Sequence, residues 1–263
     1  MTAIQTPTTA AHEILLRVEQ VSKRFGGVLA VDRCSLDIRR GTITGLIGPN
    51  GAGKTTLFHL IAGVYKPDTG RIWCQGERID GLPPHRVFAH HIARTFQLAR
   101  ELKRLTVLEN LLLVPAGQAG ESLWQACFQR RQVRAQERLR REQAEAVLSV
   151  VKLHTLQHEY AGNLSGGQKK LLELARMMMS DAQLILLDEP GAGVNPTLMR
   201  ELVEHIKHLQ AMGRTFLLIE HDMELVMELC NPVIVMSQGQ RLMEGTPLAV
   251  QQDPRVIEAY LGA

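Results

Sequence analysis

Apolar and polar residues alternate over residues 14–18 and again over 35–38, the period of strands with one buried face. Ile43–Ile47 is a continuous apolar run of strand length. It feeds a glycine-rich turn, after which residues 55–64 take helical spacing. Lys66-Pro67-Asp68-Thr69-Gly70 is turn chemistry, and residues 71–74 return as a strand. Leu82-Pro83-Pro84 opens a short histidine-rich segment. Residues 106–113 have helical spacing, with Thr106 and Glu109 placed as a capping box. From about 121 to 153 the pattern predicts one or two long helices. Further on, 171–179 reads as a helix, 184–187 as a buried strand, 196–212 as a helix and Thr215–Ile219 as a strand. Met223–Leu229 reads as a helix, 233–236 as a strand, and a helix over Pro254–Leu261 closes the chain.

Strands alternating with helices in both halves predict an α/β fold with a largely parallel sheet. The helical middle third interrupts that alternation. The expected organisation is a core built from residues 13–97 and 164–263, a helical subdomain over 98–163, and a short mobile tail over 1–12.

Composition narrows the class. The 263 residues are 45% apolar and 22% charged, ordinary for a globular chain and far from the signature of disorder. Thirty Lys and Arg against 27 Asp and Glu leave +3, which argues against nucleic acid as a partner. No apolar run approaches the length of about eighteen residues that a spanning helix needs. Residues 1–12 lack the basic start and apolar middle of a signal peptide. Cys34, Cys74, Cys127 and Cys230 are scattered, which suits free thiols in a reducing compartment better than a disulfide scaffold. The charge cluster over 130–141 (Arg130, Arg131, Arg134, Glu137, Arg138, Arg140, Arg141) reads as a solvated helix face or as attraction to an anionic membrane surface. His154 and His158 are four apart, but Thr155 stands where a zinc protease motif has Glu. His205 and His208 share a helix face. Neither pair is expected to hold a metal.

Chemistry enters with Gly48-Pro49-Asn50-Gly51-Ala52-Gly53-Lys54-Thr55, a full G-x-x-x-x-G-K-[ST] match between a strand and a helix. Glycines let the backbone wrap so that amides face phosphate oxygens, and the helix start adds its positive dipole end. Lys54 reaches the β- and γ-phosphates, the Thr55 hydroxyl holds Mg²⁺, and Thr56 follows within the first turn. Such a loop makes the chain a nucleotide binder. The second element is Leu184-Ile185-Leu186-Leu187-Asp188-Glu189, an apolar strand ending in two acids. Asp188 is placed to hold Mg²⁺ opposite the loop, and Glu189 to polarise an attacking water. The third is Leu164-Ser165-Gly166-Gly167-Gln168 before a helix, a second anion-facing helix start.

With these three motifs in this order, the chain resembles the ATP-binding cassette ATPases of membrane transporters from about Ile14 to Ala263. The resemblance implies a P-loop NTPase core with a mainly parallel sheet, an N-terminal antiparallel β part and an inserted helical subdomain that touches a membrane partner. It implies two cassettes stacked head to tail, each ATP lying between one phosphate loop and the partner's LSGGQ. Ser165, Gly166, Gly167 and Gln168 then belong to the nucleotide held by the other subunit. Phe25 matches the aromatic that stacks on adenine; otherwise it is one more core aromatic. Gln97, in Arg94-Thr95-Phe96-Gln97, matches the glutamine that senses Mg²⁺ and water. Glu189 matches the catalytic base, and His221, in Ile219-Glu220-His221-Asp222, the switch histidine. One position departs from the pattern: Asn195, in Gly191-Ala192-Gly193-Val194-Asn195-Pro196, stands where most cassettes have Asp.

That loop is similar to those of branched-chain amino acid importers, as are Thr106-Val107-Leu108-Glu109-Asn110-Leu111, Glu220-His221-Asp222-Met223 with Leu225-Val226-Met227, and the ending Val256-Ile257-Glu258-Ala259-Tyr260-Leu261-Gly262. The insertion near 115–150 is similar to that of the larger of the two ATPase subunits in such systems. The resemblance implies a second copy or a paralogous ATPase as cassette partner, two transmembrane permease subunits, an extracellular substrate-binding protein, and a peripheral position on the cytoplasmic face of the inner membrane. Urea importers and lipid exporters remain alternatives for the cargo, and a soluble ATPase outside transport remains one for the class.

Overall fold

The long hairpin of β1 (Ile14–Phe25) and β2 (Val28–Arg39) runs well past the alternating stretches that announce it. Left-handed residues at Gln20 and Arg33 coincide with shifts of register between Val18 and Val21. Such bulges add a residue to one strand and flip the facing of those that follow, so a strict period of two stops near residue 18 while the pairing continues. The computed structural model describes residues 13–94, 101–115 and 130–261. The expected tail over 1–12, Gln97 with its neighbours Thr95 and Phe96, Cys127 and the first part of the long helical stretch lie outside the described residues.

β4 (Thr69–Cys74) pairs with β1, and β5 (Glu77–Arg78) with β4, giving an antiparallel sheet in the order β2-β1-β4-β5. A second sheet runs β10-β9-β3-β8-β7-β6. Its members are β3 (Ile43–Ile47), β6 (Ile92–Arg94), β7 (Leu184–Asp188), β8 (Thr215–Ile219), β9 (Val233–Ser237) and β10 (Gln240–Gly245). All are parallel except β10, which pairs antiparallel with β9. Every residue of β3, β7 and β8 is buried, as parallel strands covered on both faces require. Two strands of this sheet escape the sequence pattern. β6 has three residues, too few to show a period. β10 is a largely polar edge strand reached through Gln238 and Gly239, both with positive φ, a two-residue hairpin turn.

Helices cover both faces: α1 (Lys54–Ile61), α2 (Pro84–Ala89), α3 (Val107–Leu112), α4 (Arg130–Val150), α5 (Gly166–Met179), α6 (Pro196–Ala211), α7 (Met223–Leu229), α8 (Pro247–Gln252) and α9 (Pro254–Leu261). β7 shows how the core divides. Leu184 and Leu186 face Leu16, Ile38, Phe58 and Ile72, between the two sheets and α1. Ile185 and Leu187 face Leu202, Ile206 and Val226 of α6 and α7. Each such side chain, fully buried, contributes about 1.5–3 kcal/mol. A third apolar cluster joins Val107, Leu108 and Leu111 of α3, Ala144 and Leu148 of α4, and Leu172 and Ala175 of α5. The thiols of Cys34, Cys74 and Cys230 are free and buried, and burial pushes them up to about 11, about 11 and about 12.

Candidate functional site

β3 lies inside its sheet, flanked by β9 and β8, so the loop after Ile47 emerges among the ends of several strands. Gly48 and Gly53 both take positive φ. A Cβ on Gly48 would lie 2.1 Å from the Met236 carbonyl oxygen, and one on Gly53 2.3 Å from that of Ala30. The loop is thus gripped between the end of β9 and the hairpin strand β2, and neither position admits a side chain. Gly239 N–H donates to the Ala52 carbonyl at 3.1 Å and completes the grip. Asn50 and Gly51 are exposed at the tip, Ala52 is buried, Thr55 is exposed and Thr56 half-buried. Lys54 opens α1. Its ammonium lies inside the curl of the loop, donating to the carbonyls of Gly48 at 2.6 Å and Pro49 at 2.9 Å. Burial lowers its pKa, and the charges of Glu189 and Asp188 act against that fall. The amides of the first turn of α1 have no acceptor within the helix, so loop and helix start form one donor surface for an anion.

The two acids lie at the end of β7, which β8 separates from β3. Asp188 ends β7, beside Ile219 of β8. Its carboxylate is almost wholly buried and takes an ion pair at 3.0 Å from Arg94, the last residue of β6. Glu189 adds one rung to the ladder, its N–H donating to the Ile219 carbonyl at 3.0 Å. It does so with a left-handed φ of 49°, uncommon for a residue with a long side chain. The turn brings its carboxylate 3.0 Å from Nε2 of His221, which follows β8. Phosphate loop, buried acid, second acid and histidine therefore gather at the ends of three neighbouring strands.

Ser165 and Gln168 close a capping box at the start of α5. Ser165 N–H donates to the Gln168 side chain at 2.9 Å, and Gln168 N–H to the serine hydroxyl at 3.3 Å. Gly166 faces open space, and Gly167 packs against Leu198 of α6. None of these bonds reaches the phosphate loop. Phe25 stands exposed at the end of β1, edge-on to Tyr65 at 5.1 Å, with Lys23 Nζ 5.5 Å above its ring. Among the described residues no three His, Cys, Asp or Glu side chains gather as metal ligands, and the two histidine pairs form no such group.

A family model described as ABC transporter matches residues 31–192. A protein named probable branched-chain amino acid transport ATP-binding protein LivG, from Archaeoglobus fulgidus, is 41% identical over 95% of this chain and 96% of its own. The chain belongs to the ABC transporter family. ATP hydrolysis coupled to transport is general for the ATP-binding cassettes of that family. A second model, described as branched-chain amino acid ATP-binding cassette transporter, matches residues 240–263 of this cassette. The high-affinity branched-chain amino acid transport ATP-binding protein BraF of Pseudomonas aeruginosa is 40% identical over 94% of this chain and 98% of its own. Among solved structures, the ADP conformation of MJ1267, an ATP-binding cassette of an ABC transporter, superposes with a TM-score of 0.80 at 38% identity. It covers 95% of this cassette and 100% of its own chain.

Sequence reading overlooked four residues at this cassette's site. Arg94 and Glu220 sit at strand ends among apolar neighbours, where a charge needs a reason. Tyr65 and Lys170 carry no such mark, since an aromatic after a helix and a lysine on one are ordinary.

Proposed function

We propose that this cassette is the ATP-hydrolysing subunit of an importer for branched-chain or other hydrophobic amino acids. The observation that carries the chemistry is the Glu189–His221 contact at 3.0 Å, held beside the phosphate loop by neighbouring strands. The cargo rests on relatives named for branched-chain amino acid transport and on the match over 240–263.

The residues present suit Mg-ATP. Gly48 and Gly53 leave a cradle that a Cβ would fill, and Lys54 supplies a buried cation at its centre. Phe25 and Tyr65 offer an exposed aromatic face for adenine. The Thr55 hydroxyl and the Asp188 carboxylate are hard oxygen donors of the kind Mg²⁺ takes, and Gln97 is proposed as a further ligand. When bound with the nucleotide, the ion neutralises charge on the β- and γ-phosphates. Glu189 takes the proton of the attacking water, His221 fixes water and γ-phosphate, and Ser165, Gly166, Gly167 and Gln168 face the nucleotide of the partner cassette. Catalysis comes mostly from positioning and charge stabilisation.

The partners we propose are a second copy or a shorter paralogue as cassette mate, two permease subunits, and indirectly an extracellular binding protein. Among the described residues no helix is long and apolar enough to cross a membrane. We propose that the cassette sits peripherally beside those permease subunits, on the cytoplasmic face of the inner membrane. A cavity of about 820 Å³ is lined by the apolar Val87, Phe88, Leu113 and Met177 and by the charged Arg94, Glu173 and Arg176, and suits an intracellular permease segment with an apolar face and polar flanks. Glu189→Gln tests the chemistry. It should abolish ATP turnover and leave ATP binding intact. Normal hydrolysis by this variant removes Glu189 as the base.

A further inference from the structure

Just after Glu189, one main-chain group on each of three consecutive residues is captured by two charged side chains distant in sequence. Lys170 of α5 donates from Nζ to the Pro190 carbonyl at 2.8 Å and also to the Ala192 carbonyl. Between them, Gly191 N–H donates to Oε1 of Glu220 at 2.8 Å. The other oxygen of Glu220 accepts from the N–H of His221 at 3.1 Å. Cation meets carbonyls and anion meets amides, so each charge matches the dipoles it touches. Glu220 is only 5% exposed. Burial lowers the pKa of Lys170, while the carboxylates of Glu220, Glu173 and Glu189 pull the other way. A Cβ on Gly191 would lie 2.9 Å from the Glu220 carboxylate and 2.6 Å from Cε of Met199.

Neither Lys170 nor Glu220 has a part in the chemistry proposed above, yet Glu220 is buried and Lys170 half-buried, and a charge so placed is unfavourable unless it is well paired. Their location indicates a purpose. Lys170 stands two residues beyond Gln168, on the helix whose start faces the partner's nucleotide. Pro190 directly follows Glu189, and Glu220 directly precedes His221. The side-chain oxygen of Asn195 is engaged at the start of α6, accepting from Leu198 N–H at 2.9 Å. We infer that Lys170 and Glu220 are positioning residues. They fasten α5, the helix that Ser165 caps, to the loops that carry Glu189 after β7 and His221 after β8, so that engagement of one nucleotide sets the geometry of Glu189 at the other. This rests on the cassette-dimer reading above.

The test uses the complete transporter complex and follows ATPase rate against ATP concentration, with ATP affinity measured separately by a fluorescent analogue. Lys170→Met should lower kcat by about ten- to a hundredfold, the scale of an ångström of misplacement. ATP affinity should stay within about twofold, the Hill coefficient should fall towards 1, and Lys170→Arg should restore most of kcat. Glu220→Gln, nearly isosteric but able to accept through one oxygen only, should lower kcat in the same way. An unchanged kcat or Hill coefficient in Lys170→Met overturns the inference. So does a fall in ATP affinity and thermal stability in step with kcat, which marks a mere brace. If Lys170→Met does not fold, Glu220→Gln decides by the same criteria. A Glu189→Gln control that hydrolyses ATP like the wild type overturns the underlying reading instead.

Discussion

Asn195 caps α6 with its side-chain oxygen, with Pro196 next in the first turn. An aspartate would accept the same bond, so the missing charge leaves the helix start intact. Asn195→Ala should lower stability by about 1 kcal/mol, and Asn195→Asp should stay near the wild type, both read from denaturant midpoints at constant slope. Lys54 acts differently, because its ammonium has two carbonyl acceptors before any phosphate arrives. Lys54→Ala should raise the ATP Kd by about ten- to a hundredfold, the worth of a charged hydrogen bond. An intact affinity counts against the loop's role. Residues with a fixed spacing, such as Gly48 through Thr55, were legible in the sequence. The ion pair of Asp188 with Arg94, 94 residues apart in the chain, was not, because only the pairing of β6 with β7 brings them together.

Among elements, legibility followed burial on two sides and strength of local capping. β3, β7 and β8 are buried throughout, and the sequence places each to within a residue. α3 begins where the capping box places it, with Thr106 and Glu109 bonded in both directions. β1 and β2 show only in part because bulges break their period, and β10 does not show at all because an edge strand has little to bury. The helical part of the chain carries a partner question that strand patterns cannot answer. Phe88, on α2, is 38% exposed at the rim of the cavity proposed for the permease. A charge there opposes the apolar face of an occupant, while α2 contributes only Val87 as a buried side chain, so the fold should survive. Phe88→Asp should therefore lose copurification with the permease subunits and retain ATP binding. Full copurification would place the docking surface elsewhere.

For the whole molecule, nucleotide binding and partner binding are linked to stability by mass action, and this separates a self-pairing cassette from one that needs a paralogue. A ligand at a hundred times its Kd stabilises the native state by about 2.7 kcal/mol. In a chain of this size that raises Tm by about 5–10 °C. Mg-ATP should produce such a shift in Glu189→Gln, whose loop is untouched, and a much smaller one in Lys54→Ala. Ser165 and Gly166 are exposed and bonded only within their own helix start, which suits the proposed completion of the site by a second cassette. If that second cassette is another copy of this chain, the ATP-bound Tm of Glu189→Gln rises with protein concentration, because dimer formation draws on the folded monomer. If the mate is a paralogue, Tm stays flat with concentration and climbs only when that paralogue is added.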